Sequence, residues 1–287
     1  MSKWDGKTKG KVLGYRFFVF FIKFLGVPFA YFILRFVAFY FYLFQKKAKA
    51  VLFDFYKNHL GMDDAQAKKT VKKNFYIFGQ ILVDRIAFIA GKEAKYTYSF
   101  ENEEAISESL KDGRGIVLIS GHVGNWETAG NLLQRRLSAP INVVMYDEEA
   151  EKVKEFLDKT SAIKKFNIIP LKGDISHVLS INNALNKNEI VALHGDRYMD
   201  EASAVSIPFL GKEAKFPIGP FTVAARFKSP FTFVYAIKTG KYHYHFSATE
   251  VTLNPDKNAV AEAYVKKLED MVKKHPEQWF NYFEFHK

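Results

Sequence analysis

A chain of 287 residues with a formal net charge of +11 and no cysteine can bury the core of one large α/β domain or two small ones, and it excludes disulfides, thiolate metal sites and cysteine nucleophiles. Its 29 Phe and 15 Tyr, joined to the basic excess, fit either stacking on single-stranded nucleic acid or contact with an anionic membrane. The aromatics crowd the N-terminal region as Phe/Tyr/Leu runs, and no basic-aromatic recognition segment follows. An anionic membrane surface, and no nucleic acid, is the expected partner.

Residues 1–11 are polar and basic, and no small-residue cleavage site follows the apolar stretch, so no removable signal peptide is expected. Residues 12–44 are dominated by Phe, Leu, Val, Ile and Tyr, with charges at Arg16, Lys23 and Arg35. The uncharged runs 24–34 and 36–45 fall short of the roughly 20 residues a spanning helix needs. Gly26 and Pro28 predict a break between helices over 13–25 and 28–47, each with a Lys or Arg able to snorkel. The expectation is an interfacial anchor or shallow hairpin within residues 1–50, followed by an α/β domain over 51–287.

A helix is expected over 63–89, where Val71, Phe75, Phe78, Leu82, Ile86 and Ile89 step by three or four. Lys68, Lys69, Lys72 and Lys73 gather at its start, as a solvated face or as a landing site for an acidic carrier or phospholipid head groups. Beyond Gly91 the pattern alternates. Strands are expected at 96–100, 115–120, 141–145, 168–169, 190–194, 230–238 and 242–248, and helices at 102–111, 125–137, 148–159, 175–186, 217–227 and 258–274. Such alternation predicts a mixed, mostly parallel central sheet flanked by helices, with sites at the carboxyl ends of strands.

Two of those ends carry chemistry. The run 115–127, GIVLISGHVGNWE, places His122 just past a buried strand and Glu127 in the first turn of the next helix. Spacing alone is weak: about one carboxylate five residues after a His is expected by chance from 8 His and 31 Asp+Glu, and the chain has three such pairs. His59/Asp64 lies between two helices and His245/Glu250 along an alternating strand, so both read as coincidences. His122 alone combines a strand end, flanking glycines and an immediate helix start.

A strand-end histidine with a carboxylate at hand suits general base chemistry, the carboxylate fixing the ring tautomer. No G-x-S-x-G elbow is present, so His122 would activate a substrate hydroxyl or amine directly. The helix start at Asn125 and Trp126 offers backbone N–H groups to a developing oxyanion. At the second strand end, Asp196 and Arg197 form either a surface ion pair or a substrate-phosphate clamp with Asp196 as orienter. Gly219, within Pro217-Ile-Gly-Pro220, starts a helix with a smooth backbone for a chain to pass, or only a turn. His122, Glu127, His194 and Asp196 could be assembled as metal ligands, but no H-x-x-x-H or H-E-x-x-H pair supports a zinc hydrolase, and neither a metal nor a cofactor is expected.

GHVGNWE (121–127) resembles the H-x4-D/E motif of the lysophospholipid acyltransferase superfamily, in the branch of the lipid A late (lauroyl/myristoyl) acyltransferases and the phosphatidylinositol mannoside acyltransferases. HGDRY (194–198), IPFLGKEAKFPIGPFTVAARF (207–227) and HPEQWFNYF (275–283) agree in order, and the resemblance covers nearly the whole chain. It implies transfer of a fatty acyl group from a thioester, acyl carrier protein or acyl-CoA, to a hydroxyl or amine of a membrane lipid at the cytoplasmic face of a bacterial inner membrane. The family's histidine and acidic residue carry over onto His122 as base and Glu127 as its partner, and Asp196 matches the second block. One departure stands out: residues 145–151 read MYDEEAE where lipid A enzymes carry an arginine-containing segment, and acidic residues there oppose a phosphorylated acceptor. An aminolipid or another lyso-lipid therefore competes with a lipid A precursor as acceptor. A non-catalytic basic lipid-binding protein on the same fold is the alternative.

Overall fold

The computed structural model describes residues 19–146, 166–172, 174–254 and 256–286. Helix α1 (Gly26–Phe44) starts at the expected break and ends at Gln45, where α2 (Lys46–Asn58) takes over, so the single helix expected over 28–47 is two. Helix α3 (Asp64–Ile89) opens on a reciprocal capping box between Asp63 and Gln66. The inner face of α1, Val27, Ala30, Tyr31, Leu34 and Ala38, is buried. Of these, Val27, Ala30, Tyr31 and Leu34 share a core cluster with Val83, Ile86 and Ala87 of α3. The outer face of α1 leaves Phe32, Phe36, Phe39 and Phe44 exposed, and Phe24 just before it is exposed too. Among the described residues α1 is the one helix long and apolar enough to cross a membrane, by length and composition.

Strands and helices then alternate as β1 (Thr97–Glu101), α4 (Glu103–Leu110), β2 (Ile116–Ser120), α5 (Trp126–Arg136), β3 (Ile141–Tyr146), β4 (Asn167–Leu171), α6 (Ser176–Asn186) and β5 (Ile190–His194). The helix expected over 148–159 lies outside the described residues. After β5 come β6 (Ala204–Phe209), β7 (Lys212–Pro217), α7 (Gly219–Arg226), β8 (Phe231–Gly240), β9 (His243–Ala248) and α8 (Lys257–Lys274). Seven strands form one sheet in the order β1-β9-β8-β2-β5-β3-β4, parallel except for the β8/β9 pair. The mixed, mostly parallel sheet flanked by helices is the architecture the alternation predicts.

Strand β2 is buried throughout, as a central parallel strand must be. Its Val117 and Ile119 join one core cluster, and Ile116 and Leu118 join the other. The β6–β7 hairpin is not in the sequence reading. Its two-residue loop is Leu210-Gly211, both with positive φ, a turn in which Leu replaces the usual Asn or Asp and so gives no signal.

Candidate active site

Register builds the site. Ser120 of β2 pairs with His194 of β5, so two residues further on His122 and Asp196 face each other beyond the carboxyl edge of the sheet. Asp196 is buried, and its Oδ1 lies 2.8 Å from His122 Nδ1 while its Oδ2 accepts the His122 backbone N–H at 2.8 Å. Burial alone would raise the Asp196 carboxyl. The facing His122, its hydrogen bond and the Arg197 guanidinium outweigh that and hold it well below the usual carboxylate range. A carboxylate on Nδ1 selects the tautomer whose lone pair is on Nε2, the form required of a general base.

Two glycines let the strand ends approach. Tyr264 of α8 donates to the Ser120 carbonyl at 2.9 Å, and its ring lies beneath both turns. A Cβ at Gly121 would come within 2.8 Å of its hydroxyl, and one at Gly195 within 2.9 Å of its ring. Gly124 has φ +72°, and a Cβ there would sit 2.0 Å from the Ala236 carbonyl oxygen.

Glu127 occupies the first turn of α5, as expected, and its Oε2 lies 2.5 Å from Arg85 Nε of α3. The residue on Nδ1 of His122 is Asp196. The other two spaced pairs also find partners elsewhere: Asp64 bonds Lys57 at 2.7 Å, and His245 meets Ser99 at 2.8 Å and Glu101 at 3.2 Å.

Asn125 caps α5, its Oδ1 accepting the Thr128 N–H at 3.2 Å. Its own backbone N–H bonds the Ala236 carbonyl at 2.7 Å and that of Gly124 bonds Gln278 at 2.9 Å. The Asn125 N–H is thus committed to β8 and is not presented to an oxyanion, contrary to the sequence reading. Trp126 stands edge-on to His194 with ring centroids 4.8 Å apart. The His194 ring is 4.6 Å from that of His122, and its buried Nδ1 lacks a hydrogen-bond partner among the described residues. Desolvation and the neighbouring His122 lower its pKa to about 3, keeping it neutral.

Arg197 Nη2 donates to the Phe280 carbonyl at 2.8 Å, which ties it to the segment after α8. Gly219 opens α7, whose Phe221 packs on Tyr264 at 5.3 Å; a Cβ at Gly219 would meet open space. An apolar cavity of about 50 Å³ borders Trp126, Glu127, Gly130, His194 and Tyr235. The donor atoms of His122, His194 and Asp196 lie within 4.8 Å of one another, a nitrogen-and-oxygen set that a divalent transition metal could accept. In the arrangement present both Asp196 oxygens are held by His122.

Sequence reasoning assigned no role to the residues that hold this loop from outside. Phe280 N–H donates to the His122 carbonyl at 3.0 Å, and Trp279 Nε1 approaches Asp196 Oδ2 at 3.5 Å. The Gln278 side chain mimics a strand, accepting from Lys238 N at 2.9 Å and donating to Lys238 O at 2.8 Å. The terminal block HPEQWFNYF was the available signal, without a way to place it in space.

The His122–Asp196 pair thus stands at the carboxyl edge of the sheet, beside the ring of His194. The model of the bacterial lipid A biosynthesis acyltransferase family matches residues 9–285, and the chain belongs to that family, a family of lipid acyltransferases. It is also similar to phosphatidylinositol mannoside acyltransferase of Mycobacterium tuberculosis, strains ATCC 25618 / H37Rv and CDC 1551 / Oshkosh, at 27% identity over 120 residues in both. That stretch is 42% of this chain and spans only 37% of the relatives' length.

Proposed function

We propose that the protein moves a fatty acyl group from an acyl thioester to a hydroxyl or amine of a membrane lipid, with His122 as general base. The observation that carries this reading is the His122–Asp196 pair at the carboxyl edge of the sheet, which leaves the Nε2 lone pair for the acceptor's proton. The acceptor oxygen or nitrogen attacks the thioester carbon, its proton passes to Nε2, and the tetrahedral intermediate collapses with departure of the thiolate, which takes up that proton. Asp196 stabilises the imidazolium in between. Glu127, at the family's acidic position, acts with Arg85 to hold the start of α5 beside the base.

Acyl carrier protein is the favoured donor, since an acidic carrier complements the +11 chain, with acyl-CoA as the other thioester. A lipid A precursor, an aminolipid, a phosphatidylinositol mannoside or another lyso-lipid is the acceptor class. The exposed phenylalanines of α1 suit the cytoplasmic face of a bacterial inner membrane. Purified protein incubated with acyl carrier protein thioester and membrane lipid extract should release free carrier thiol, and His122→Ala should slow release about a hundredfold or more. Near wild-type release by His122→Ala sinks the reading; lipid binding without thiol release turns it into lipid carriage. Removal of residues 1–47 should release the protein from membranes.

A further inference from the structure

Behind the site lies a second buried cluster that proton abstraction does not use. Asp84 of α3 is wholly buried, and its carboxylate accepts from Tyr96 at 2.7 Å, from Lys238 Nζ at 2.6 Å and from the hydroxyls of Tyr31 and Tyr244. Lys238 also stands over the rings of Tyr31, Tyr96 and Tyr244, 4.7 to 5.8 Å from their centroids. A buried ion pair gives little net stability over an apolar core of the same volume, so what it holds in place matters more than what it contributes. Its donors come from α1, the residue before β1, β8 and β9.

One donor reaches the site. The Tyr244 hydroxyl gives its proton to Asp84, and its lone pair accepts Asn125 Nδ2–H at 3.2 Å. That bond decides which end of the Asn125 amide faces Thr128: with Nδ2 held by Tyr244, Oδ1 is turned to the Thr128 N–H and caps α5. A phenol whose proton went elsewhere would leave the amide free to turn its nitrogen toward Thr128 and uncap the helix.

We propose that Asp84 and Tyr244 are positioning residues for the proposed acyl transfer: through one phenol they fix the Asn125 amide, and with it the loop carrying His122, and they tie that loop to the seat of α1. The inference rests on His122 as the base. Two phenol deletions separate it from a merely structural role. Tyr244→Phe and Tyr96→Phe each remove one hydroxyl from the same carboxylate and keep the ring, but only Tyr244 touches Asn125.

In the full-length protein in detergent, Tyr244→Phe should lower kcat for thiol release from acyl carrier protein thioester about tenfold with the donor KM unchanged, and speed hydrogen exchange at the Thr128 amide by a similar factor, as losing one buried hydrogen bond implies. Tyr96→Phe should leave both within about twofold, its lost bond having no line to Asn125. Equal effects from the two deletions, or wild-type kcat and exchange in Tyr244→Phe, overturn the proposal. Should Tyr244→Phe not fold, Asn125→Ser, which keeps a capping oxygen but has no amide to orient, must lose kcat in the same way; wild-type kcat there also overturns it. Amide exchange needs no substrate. A wild-type protein inert toward every acyl thioester would therefore sink the acyl-transfer reading while exchange still decides the coupling.

Discussion

Asp196 holds His122 at two points, one carboxylate oxygen on the ring Nδ1 and the other on the backbone N–H, each at 2.8 Å. The same group therefore sets both the tautomer of the ring and the path of the main chain beneath it.

Asp196→Asn separates these two roles. The amide can still accept the backbone N–H, but its nitrogen donates to Nδ1 and drives the proton onto Nε2, the wrong tautomer for a base. Turnover should fall by about a hundredfold to ten-thousandfold with the fold retained. Steady-state kinetics beside a thermal melt reads both; a large loss of melting temperature with modest loss of kcat would show Asp196 to be a structural residue.

The Arg85–Glu127 pair, 2.5 Å apart and partly buried, should behave as a unit. In a double-mutant cycle of Arg85→Met and Glu127→Gln, the stability coupling should be about 1–3 kcal/mol, above the usual range for an exposed pair. Additive losses in chemical denaturation would mean that the pair does not hold α5 to α3.

His194 makes the fold sensitive to acid. Folded, it stays neutral down to about pH 3. The unfolded chain takes up the same proton near pH 6.5, so between these values the unfolded state binds more protons and stability falls as pH drops. His194→Gln should recover about 1–2 kcal/mol of that loss between about pH 7.5 and about pH 5, once partial solvent access is allowed for. Melting temperatures of both proteins across that interval test it, and parallel curves would contradict it.

Gln278→Leu removes the side chain that pairs with both backbone groups of Lys238. Two buried main-chain groups lose their partners together, which should cost about 2–4 kcal/mol. Urea denaturation gives the value; a loss below about 0.5 kcal/mol, within the range of an ordinary surface substitution, would show that water replaces the amide.

Much of the sheet could be read from the chain because parallel strands buried on both faces leave unbroken apolar runs such as 116–119. His122 was legible for the same reason, as the first titratable side chain after such a run. Its partner was not legible from spacing. Glu127 stands five residues away but meets Arg85, whereas Asp196 stands 74 residues away and meets the ring through strand register. The Asp84 cluster was hidden because its tyrosines look like ordinary core aromatics until their hydroxyls converge on one carboxylate. Gly219 drew notice through its proline neighbours, a local signal that fixes a helix start and says little of what lies beside it.

The bonds from Gln278 and Phe280 to the main chain of Gly124 and His122 also set an order of events during synthesis. The strand that leads to His122 is made early and its glycine loop follows at once, yet the segment that pins that loop leaves the ribosome more than a hundred residues later. Until then His122 has its Asp196 contacts to hold it from outside the strand. The last main-chain contacts of the His122 loop can therefore form only once residue 280 has been made.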